Sequence, residues 1–202
     1  MRRDEFEIKD EKDIQEIIDF CEYGTLSLIY ESKPYSVALN FVYFDGSIFF
    51  HGAQDGKKIE AIKENPIGSF LIVKPYSNIP SYFFGTTAAC PATHFFASVL
   101  FEGDLSFIQK GEEKARVLEA LMQKLQKDGG YETITYDKAM YSKMLDKVAI
   151  IKLLPQNISC KIKVGQNLNA HKTNRVIEKL RNRNLEIDKE TIKQIKKYCV
   201  ED

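Results

Sequence analysis

The stretch that decides the fold is PYSVALNFVYFDGSIFFHGAQDGKKIEAIKENP, residues 34–66. It contains two runs rich in β-branched and aromatic residues, 34–44 and 47–52, separated by the pair Asp45-Gly46. An Asp-Gly pair between two such runs is a strong signal for a hairpin with a two-residue turn. We therefore predict two antiparallel strands that meet at this turn.

A two-residue turn also predicts the register of the hairpin, because it places Phe44 opposite Ser47. Counting outward, Asn40 then lies opposite His51, and directly opposed residues share one face. The side chains on this face are small or polar, so they form a predicted patch for a flat ligand: Ala38, Asn40, His51 and Ala53. The opposite face is apolar and receives Leu39, Phe41, Tyr43, Ile48 and Phe50.

The segment after the hairpin predicts a short helix over residues 55–65, with Asp55 as its N-cap. Lys57 and Lys58 lie in its first turn, where free backbone amides and the helix dipole favour an anion. The segment is not a nucleotide triphosphate loop, because its glycine spacing is one residue short and no Ser or Thr follows the lysine. We interpret it as a site for a single phosphate. The alternative is a surface helix with solvated lysines.

The remaining pattern predicts further strands and helices around this hairpin. Additional strands are expected at residues 25–30, 67–74, 94–108, 147–154 and 158–164. Helices are expected at residues 11–22, 111–127, 172–182 and 188–199, and residues 75–93 are expected to be irregular. Single helices between many strands predict a mainly β protein with α decoration, a small barrel rather than a doubly wound parallel sheet.

The composition limits the possible partners and compartment. The 202 residues include 29 basic and 29 acidic side chains, so no bulk attraction to nucleic acid or to a membrane is expected. No apolar run approaches the roughly 20 residues that span a bilayer, and MRRDEFEIKDEKD lacks the apolar segment of a signal peptide. The four cysteines form no CxxC pair, which favours reduced thiols in a cytoplasmic protein without a metal site. Among them, we expect Cys90 to be packed.

Several short motifs follow one another in a specific order. The first group is Leu39-Asn40-Phe41, Phe50-His51-Gly52-Ala53, Gly56-Lys57-Lys58 and Asn65-Pro66. Further along are Ser98-Val99 with Gly103, and then KIKVGQN at residues 161–167. Together they resemble the FMN-binding split-barrel superfamily that includes pyridoxamine 5′-phosphate oxidase, and within it most closely the nitroimidazole-resistance (Nim-type) flavoproteins. The resemblance covers residues 21 to about 180.

This resemblance implies a six-stranded antiparallel split β-barrel that forms a homodimer with FMN at the subunit interface. It implies a flavin-binding domain over residues 1–168 and a C-terminal helical tail, residues 169–202, packed on the same domain or on its dimer partner. The implied cofactor-binding residues are Val37, Ala38, Leu39, Asn40, His51, Gly52, Ala53, Lys57, Lys58, Ser98, Lys161, Lys163 and Gln166. In this scheme Lys57 and Lys58 hold the 5′-phosphate and Ser98 hydrogen-bonds the ring system.

The function implied is an FMN-dependent oxidoreductase, similar to nitroreductases or flavin reductases. It would take electrons from a nicotinamide donor and reduce a small aromatic, nitro or quinone-like acceptor, with His51 as the candidate catalytic side chain or as a residue that packs on the flavin. The Arg-rich C-terminal signature of pyridoxamine 5′-phosphate oxidase is missing, which argues against that oxidase reaction. Two alternatives stay open: a non-catalytic flavin-binding regulator or carrier, and a haem-binding split barrel with His171 as ligand.

Overall fold

The computed structural model describes residues 3–199, and it contains eight strands and six α-helices in this range. The strands are β1 Glu7–Ile8, β2 Tyr23–Tyr30, β3 Lys33–Asn40, β4 Val42–Phe44, β5 Ser47–Gly52, β6 Ile67–Ile79, β7 Thr93–Ile108 and β8 Ala149–Lys163. The helices are α1 Glu11–Phe20, α2 Lys57–Glu64, α3 Gly111–Leu125, α4 Ala139–Lys147, α5 Ala170–Arg183 and α6 Glu186–Cys199. Short 3-10 helices span Asp4–Phe6 and Ser81–Phe84.

The strands form one sheet in the order β3-β2-β6-β7-β8-β5-β4, with β1 paired to β8. The prediction of a mainly β protein with antiparallel strands and helical decoration is confirmed by this sheet. The described residues do not form the predicted six-stranded closed barrel, because their sheet has eight strands and its strand path is open. None of the helices in residues 3–199 is long and apolar enough to cross a membrane.

Two strand predictions are wrong: one predicted strand is divided in the structure, and two predicted strands are joined into one. The predicted strand 34–44 is split at Phe41 into β3, which pairs with β2, and β4, which pairs with β5. The Phe41 ring between them is fully buried against Phe70, with ring centroids 5.1 Å apart. The predicted break near Pro155 does not occur, and β8 is continuous across it. Gly103 permits this, because a Cβ there would lie only 2.1 Å from the carbonyl oxygen of Leu154.

Other boundaries also differ from the prediction. The irregular segment is shorter than residues 75–93, since β6 continues to Ile79 and the 3-10 helix follows it. The helix α4 and the two-residue β1 were not predicted. The predicted helices 11–22, 111–127, 172–182 and 188–199 correspond to α1, α3, α5 and α6.

The chain divides into two compact units. Of the described residues, unit 1 comprises 3–17, 73–99 and 159–199, and unit 2 comprises 18–72 and 100–158. In unit 2 the core is aromatic: the Phe50 and Phe70 rings are stacked at 5.9 Å between centroids, and both are fully buried.

In unit 1 the tail helices are attached to their own chain through polar contacts with β6. Asp188, at the start of α6, accepts a hydrogen bond from Ser77 at 2.6 Å, and Arg183 donates to the carbonyl of Asn78 at 2.8 Å. The predicted boundary at residue 168 stays a prediction, while α5 and α6 lie in the same unit as residues 73–99.

Candidate functional site

The strand β5 is buried along most of its length and ends at the candidate site. Ile48, Phe49 and Phe50 are buried, while His51 is exposed and Gly52 is half-buried. His51 lies opposite Ile150 of β8, and Gly52 lies opposite Ala149. The strand therefore ends with its polar residues at the surface of unit 2, where the chain turns into α2.

The first turn of α2 lacks a side-chain cap. Gly56 is the N-cap residue, with φ 91° and ψ 172°, and it makes no side-chain cap hydrogen bond. Such a positive φ favours glycine. The prediction that Asp55 caps the helix is therefore wrong, because the turn needs a glycine conformation at residue 56. The amides of Ile59 and Glu60 donate to the Gly56 carbonyl. No described hydrogen bond uses the amides of Lys57 and Lys58. Amide groups at an uncapped helix start, together with the helix dipole, favour an anion.

The two lysines of this turn have different surroundings. The Nζ of Lys58 lies over Gly52, 2.5 Å from where a Cβ would stand, and 5.9 Å from the Phe50 ring centroid. The Nζ of Lys57 instead lies 4.7 Å from the ring of Tyr35 and 5.1 Å from that of Tyr30. Lys58 therefore faces the end of β5, whereas Lys57 packs on two tyrosines that the sequence did not mark as part of the site.

The positive charge at the end of β5 has no carboxylate partner. No ion pair within residues 3–199 involves Lys57 or Lys58. Burial lowers the pKa of Lys58, and the pKa of His51 is lowered by burial and by the charge of Lys58. His51 as a whole residue is exposed, but its imidazole is partly shielded from water by neighbouring protein atoms. This partial desolvation favours the neutral form of the imidazole. The end of β5 therefore carries positive charge that no described carboxylate balances.

The β3 residues of the predicted patch take a different partner strand. Asn40 lies opposite Tyr23 of β2, and its Nδ2 donates to the carbonyl of Glu22 at 3.2 Å. The predicted pairing of Asn40 with His51, and of Ala38 with Ala53 beyond it, is wrong. The hairpin register holds only from Phe44 and Ser47 back to Val42 and Phe49.

The structure still brings part of the predicted set into one unit. The residues that lie in unit 2 are Val37, Ala38, Leu39, Asn40, His51, Gly52, Ala53, Lys57 and Lys58. Of these, His51, Gly52, Ala53, Lys57 and Lys58 are contiguous with the β5–α2 junction, which we define as residues 51–58. Within that junction, Gly52 and Lys58 are in direct proximity.

The other predicted site residues lie in unit 1: Ser98, Lys161, Lys163 and Gln166. Cys160, Ile162 and Val164 are buried, and the lysines between them, Lys161 and Lys163, are half-buried. The Nζ of Lys161 lies 5.4 Å from the Phe96 ring centroid, and Lys163 donates a hydrogen bond to Thr93.

Gln166 uses its amide for the backbone of its own segment. Its Oε1 accepts from the amide of Val164 at 2.9 Å, and its Nε2 donates to the carbonyl of Ile162 at 2.7 Å. These contacts support a structural role for Gln166 at the end of β8. Its predicted approach to a flavin stays a prediction, as does that of Ser98, which is half-buried in β7.

The sequence profile described as pyridoxamine 5′-phosphate oxidase matches residues 10–162. Since this match covers well over half of the chain, the protein belongs to the pyridoxamine 5′-phosphate oxidase family. No curated protein sequence matches the chain.

Solved structures show the same fold at low sequence identity. A proposed 5-nitroimidazole antibiotic resistance protein from Bacteroides thetaiotaomicron is 22% identical, with a TM-score of 0.63 over 77% of this chain and 86% of that one. The flavocytochrome Anf3 from Azotobacter vinelandii is 19% identical, with a TM-score of 0.67 over 79% of this chain and 70% of that one. The FAD and heme binding protein from Mycobacterium smegmatis is 13% identical, with a TM-score of 0.66 over 79% and 74%.

Proposed function

We propose that the protein is an FMN-binding oxidoreductase that passes electrons from a nicotinamide donor to a small aromatic, nitro or quinone-like acceptor. The observation that carries this proposal is the position of Lys58, whose Nζ lies over Gly52 beside an uncapped helix start and without a carboxylate partner in residues 3–199. Membership of the pyridoxamine 5′-phosphate oxidase family supports it.

The residues of the β5–α2 junction fit the phosphate of FMN. A phosphate carries close to two negative charges at neutral pH and several acceptor oxygens, which match a lysine and free helix amides. Lys58 would hold this phosphate, and Lys57 would contribute charge from its place on Tyr30 and Tyr35. Gly52 has no side chain of its own, and the space over it is occupied by the Lys58 amine that would bind the phosphate.

The chemistry would be supplied by FMN, which transfers hydride or single electrons when bound. The protein would bind and orient it. His51 has a lowered pKa, so at neutral pH its imidazole is uncharged and offers one donor and one acceptor nitrogen. Such a group suits hydrogen bonding to a flavin edge or delivery of a proton to an acceptor. Lys161 would add positive charge from β8 of the partner subunit, and the assignment of Lys163 to the flavin stays a prediction from the sequence.

The related structures support a flavin, and they raise haem as a second possibility. Two of them are described by name as a flavocytochrome and as an FAD and heme binding protein. In this chain His171 is exposed on α5 and lines an open groove with Asn174 and Arg175. If the protein bound haem, His171 would be the candidate iron ligand. A flavin-binding regulator or carrier would bind FMN at the β5–α2 junction without catalysing a reaction.

The direct test is the absorption spectrum of the purified full-length protein, with extraction and mass identification of its chromophore. FMN by mass together with steady NADH or NADPH oxidation by an added quinone or nitroaromatic acceptor would support the whole proposal. Bound FMN without turnover would leave a carrier or regulator. A Soret band after haem addition that is lost in His171→Ala, with no flavin binding, would overturn the proposal.

The proposal includes a homodimer with FMN at the subunit interface. Light scattering coupled to gel filtration should give a mass near 46 kDa, twice the 23.2 kDa of one chain. A monomer that binds FMN with full affinity would contradict the interface site while leaving the β5–α2 junction as the phosphate site.

A further inference from the structure

Unit 1 contains a cavity that the proposed flavin site does not explain. Its volume is about 520 Å³, within the range of roughly 300–1,000 Å³ that is usual for small-molecule sites. We call it the tail pocket, because residues at the start of α5 form one wall. It is lined by Arg3, Phe84, Thr86, Cys90, Pro91, Ala92, Thr93, Phe95, Lys163, Gly165, Asn167, Leu168 and Lys172.

The charged side chains in the wall of the tail pocket are all positive. They are Arg3, Lys163 and Lys172, and no Asp or Glu is present among the described residues that line it. The only described polar partner of the Lys163 amine is the neutral hydroxyl of Thr93. Cations gathered without a counter-charge repel one another, and a bound anion would relieve this repulsion.

The protonation of Lys163 agrees with this geometry. Burial lowers its pKa, and the positive charges of Lys161 and Arg3 lower it further. Arg3 itself is held near this region by the Phe6 ring, 5.8 Å from its guanidinium carbon. A negative ligand would stabilise the charged forms of these side chains, which is how a basic pocket acquires affinity for anions.

The rest of the wall combines apolar side chains with the neutral polar side chains of Thr86, Thr93 and Asn167. Phe95 is buried beneath the pocket, and Phe84, Pro91 and Leu168 are half-buried around it. A purely inorganic anion would leave these surfaces in water. The wall therefore suits a ligand with a flat apolar body and an acidic group at one end.

We propose that the tail pocket binds a small organic anion, an apolar ring that carries a carboxylate or a phosphate. Nearly all of its lining residues differ from those assigned to FMN, Lys163 being the exception. The proposal does not require the flavin function, because it predicts binding both in the absence of FMN and in protein saturated with it.

Cys90 offers a reporter at this pocket. It is exposed, contrary to the expectation that it is packed, and it lines the wall. Cys21 and Cys160 are buried, and burial raises the pKa of Cys160 to about 12 and that of Cys199 to about 11. Cys90 should thus be the thiol that reacts first with a neutral reagent such as iodoacetamide.

The experiment is calorimetric titration of the full-length protein with phenyl phosphate, benzoate and uncharged benzyl alcohol, with and without saturating FMN. The expected result is binding of at least one of the two anions, and at least about tenfold weaker binding of benzyl alcohol. Comparison of the two anions tells whether the site prefers phosphate or carboxylate. The better anion should also slow iodoacetamide labelling of Cys90, with Cys90→Ser identifying the labelled thiol.

A matched set of variants tests the residues. Arg3→Gln/Lys172→Gln should weaken the anion at least about tenfold, because two charge-assisted contacts are lost. The control Lys189→Gln removes an exposed lysine of α6 outside the pocket and should leave affinity unchanged. Thermal unfolding of each variant verifies that it is folded.

Three results would overturn the proposal. The first is the absence of binding by either anion at millimolar concentration, and the second is parental affinity in Arg3→Gln/Lys172→Gln. The third is competition between the anion and FMN, which would assign the pocket to the flavin site. Because FMN binding is measured separately, failure of the proposed flavin function would not alter these readings.

Discussion

Two charged groups in this protein, Asp188 and Lys58, have opposite surroundings. The contrast distinguishes a charge that stabilises the fold from a charge that is proposed to bind a ligand. Asp188, at the start of α6, is 1% exposed. Its carboxylate accepts hydrogen bonds from Arg183 Nε at 3.0 Å and Nη2 at 2.5 Å, from Ser77 at 2.6 Å and from the Leu185 amide at 3.0 Å. Lys58, at the start of α2, is half-buried and has no described carboxylate partner.

The pKa directions express the same contrast. Burial alone would raise the pKa of Asp188, but its hydrogen bonds from Arg183, Ser77 and Leu185 outweigh burial and lower it. For Lys58, burial lowers the pKa, so its surroundings disfavour its charge. A charge that the chain itself satisfies is part of the scaffold, whereas a charge left unsatisfied beside free amides is available to a ligand.

The largest effect is expected at Asp188. Asp188→Ala leaves the Arg183 guanidinium without its partner, which in a buried pair costs about 3–5 kcal/mol of the free energy of unfolding. Urea denaturation followed by circular dichroism measures this loss. Glu186→Ala, an exposed carboxylate on the same helix, is the control and should change stability by less than about 0.5 kcal/mol. If the two variants lost the same free energy of unfolding, the proposed role of Asp188 in stabilising the fold would be wrong.

The stability should also depend on pH through this group. Because its folded pKa lies below the ordinary value, Asp188 contributes stability above the unfolded pKa near about 3.9, and this contribution is lost as the pH falls through the folded pKa. Urea midpoints measured from pH 6 down to pH 2 should fall more in the parent than in Asp188→Asn. Parallel pH profiles would contradict the assignment.

The next largest effect is expected at Lys58. Lys58→Ala should weaken FMN by about 1.5–3 kcal/mol, on the order of ten- to a hundredfold, through loss of a charge-assisted contact. Quenching of FMN fluorescence gives the dissociation constant. Stability should be little affected, and Lys63→Ala, an exposed lysine at the other end of α2, should bind FMN like the parent. Unchanged FMN affinity in Lys58→Ala would contradict the proposal that Lys58 binds the phosphate.

A smaller effect is expected at Lys57. Its ammonium packs on Tyr30 and Tyr35, so Lys57→Ala should weaken FMN by about 1 kcal/mol or less, a fewfold change. The measurement is the same fluorescence titration, with Lys58→Ala alongside. A larger loss in Lys57→Ala than in Lys58→Ala would show that the two lysines exchange roles when the cofactor binds.

The smallest effect is a change of protonation at His51. In the protein without FMN its pKa lies below the ordinary value near about 6.5, so it is neutral at pH 7. A bound phosphate should offset the charge of Lys58 and raise this pKa. Titration of the His51 imidazole protons by NMR, with His51→Asn for assignment, follows the shift. A pKa that falls on addition of FMN would place the phosphate away from Lys58.

The sequence predicted the elements that depend on local chemistry. The Asp45-Gly46 turn and the end of α2 before Pro66 follow from turn and helix-stop residues. These features involve residues close together in the chain, and a single sequence contains that information.

The failures involve contacts distant in sequence. Asn40 pairs with Tyr23 rather than His51, because β3 pairs with β2 along its whole length, and the pattern of residues 34–66 does not reveal that partner strand. Likewise β8 crosses Pro155 because Gly103 lets β7 approach. The different roles of Lys57 and Lys58 depend on where two tyrosines lie in the folded chain, which the motif alone does not encode.

The most direct test of the β5–α2 junction as a phosphate site compares FMN with riboflavin, which lacks the phosphate, in the parent and in Lys58→Ala. Dissociation constants for both flavins come from fluorescence titration under one salt condition. We predict that the parent binds FMN at least about tenfold more tightly than riboflavin, and that this ratio falls by about tenfold in Lys58→Ala. The same ratio in both proteins would contradict the central claim that Lys58 holds the phosphate.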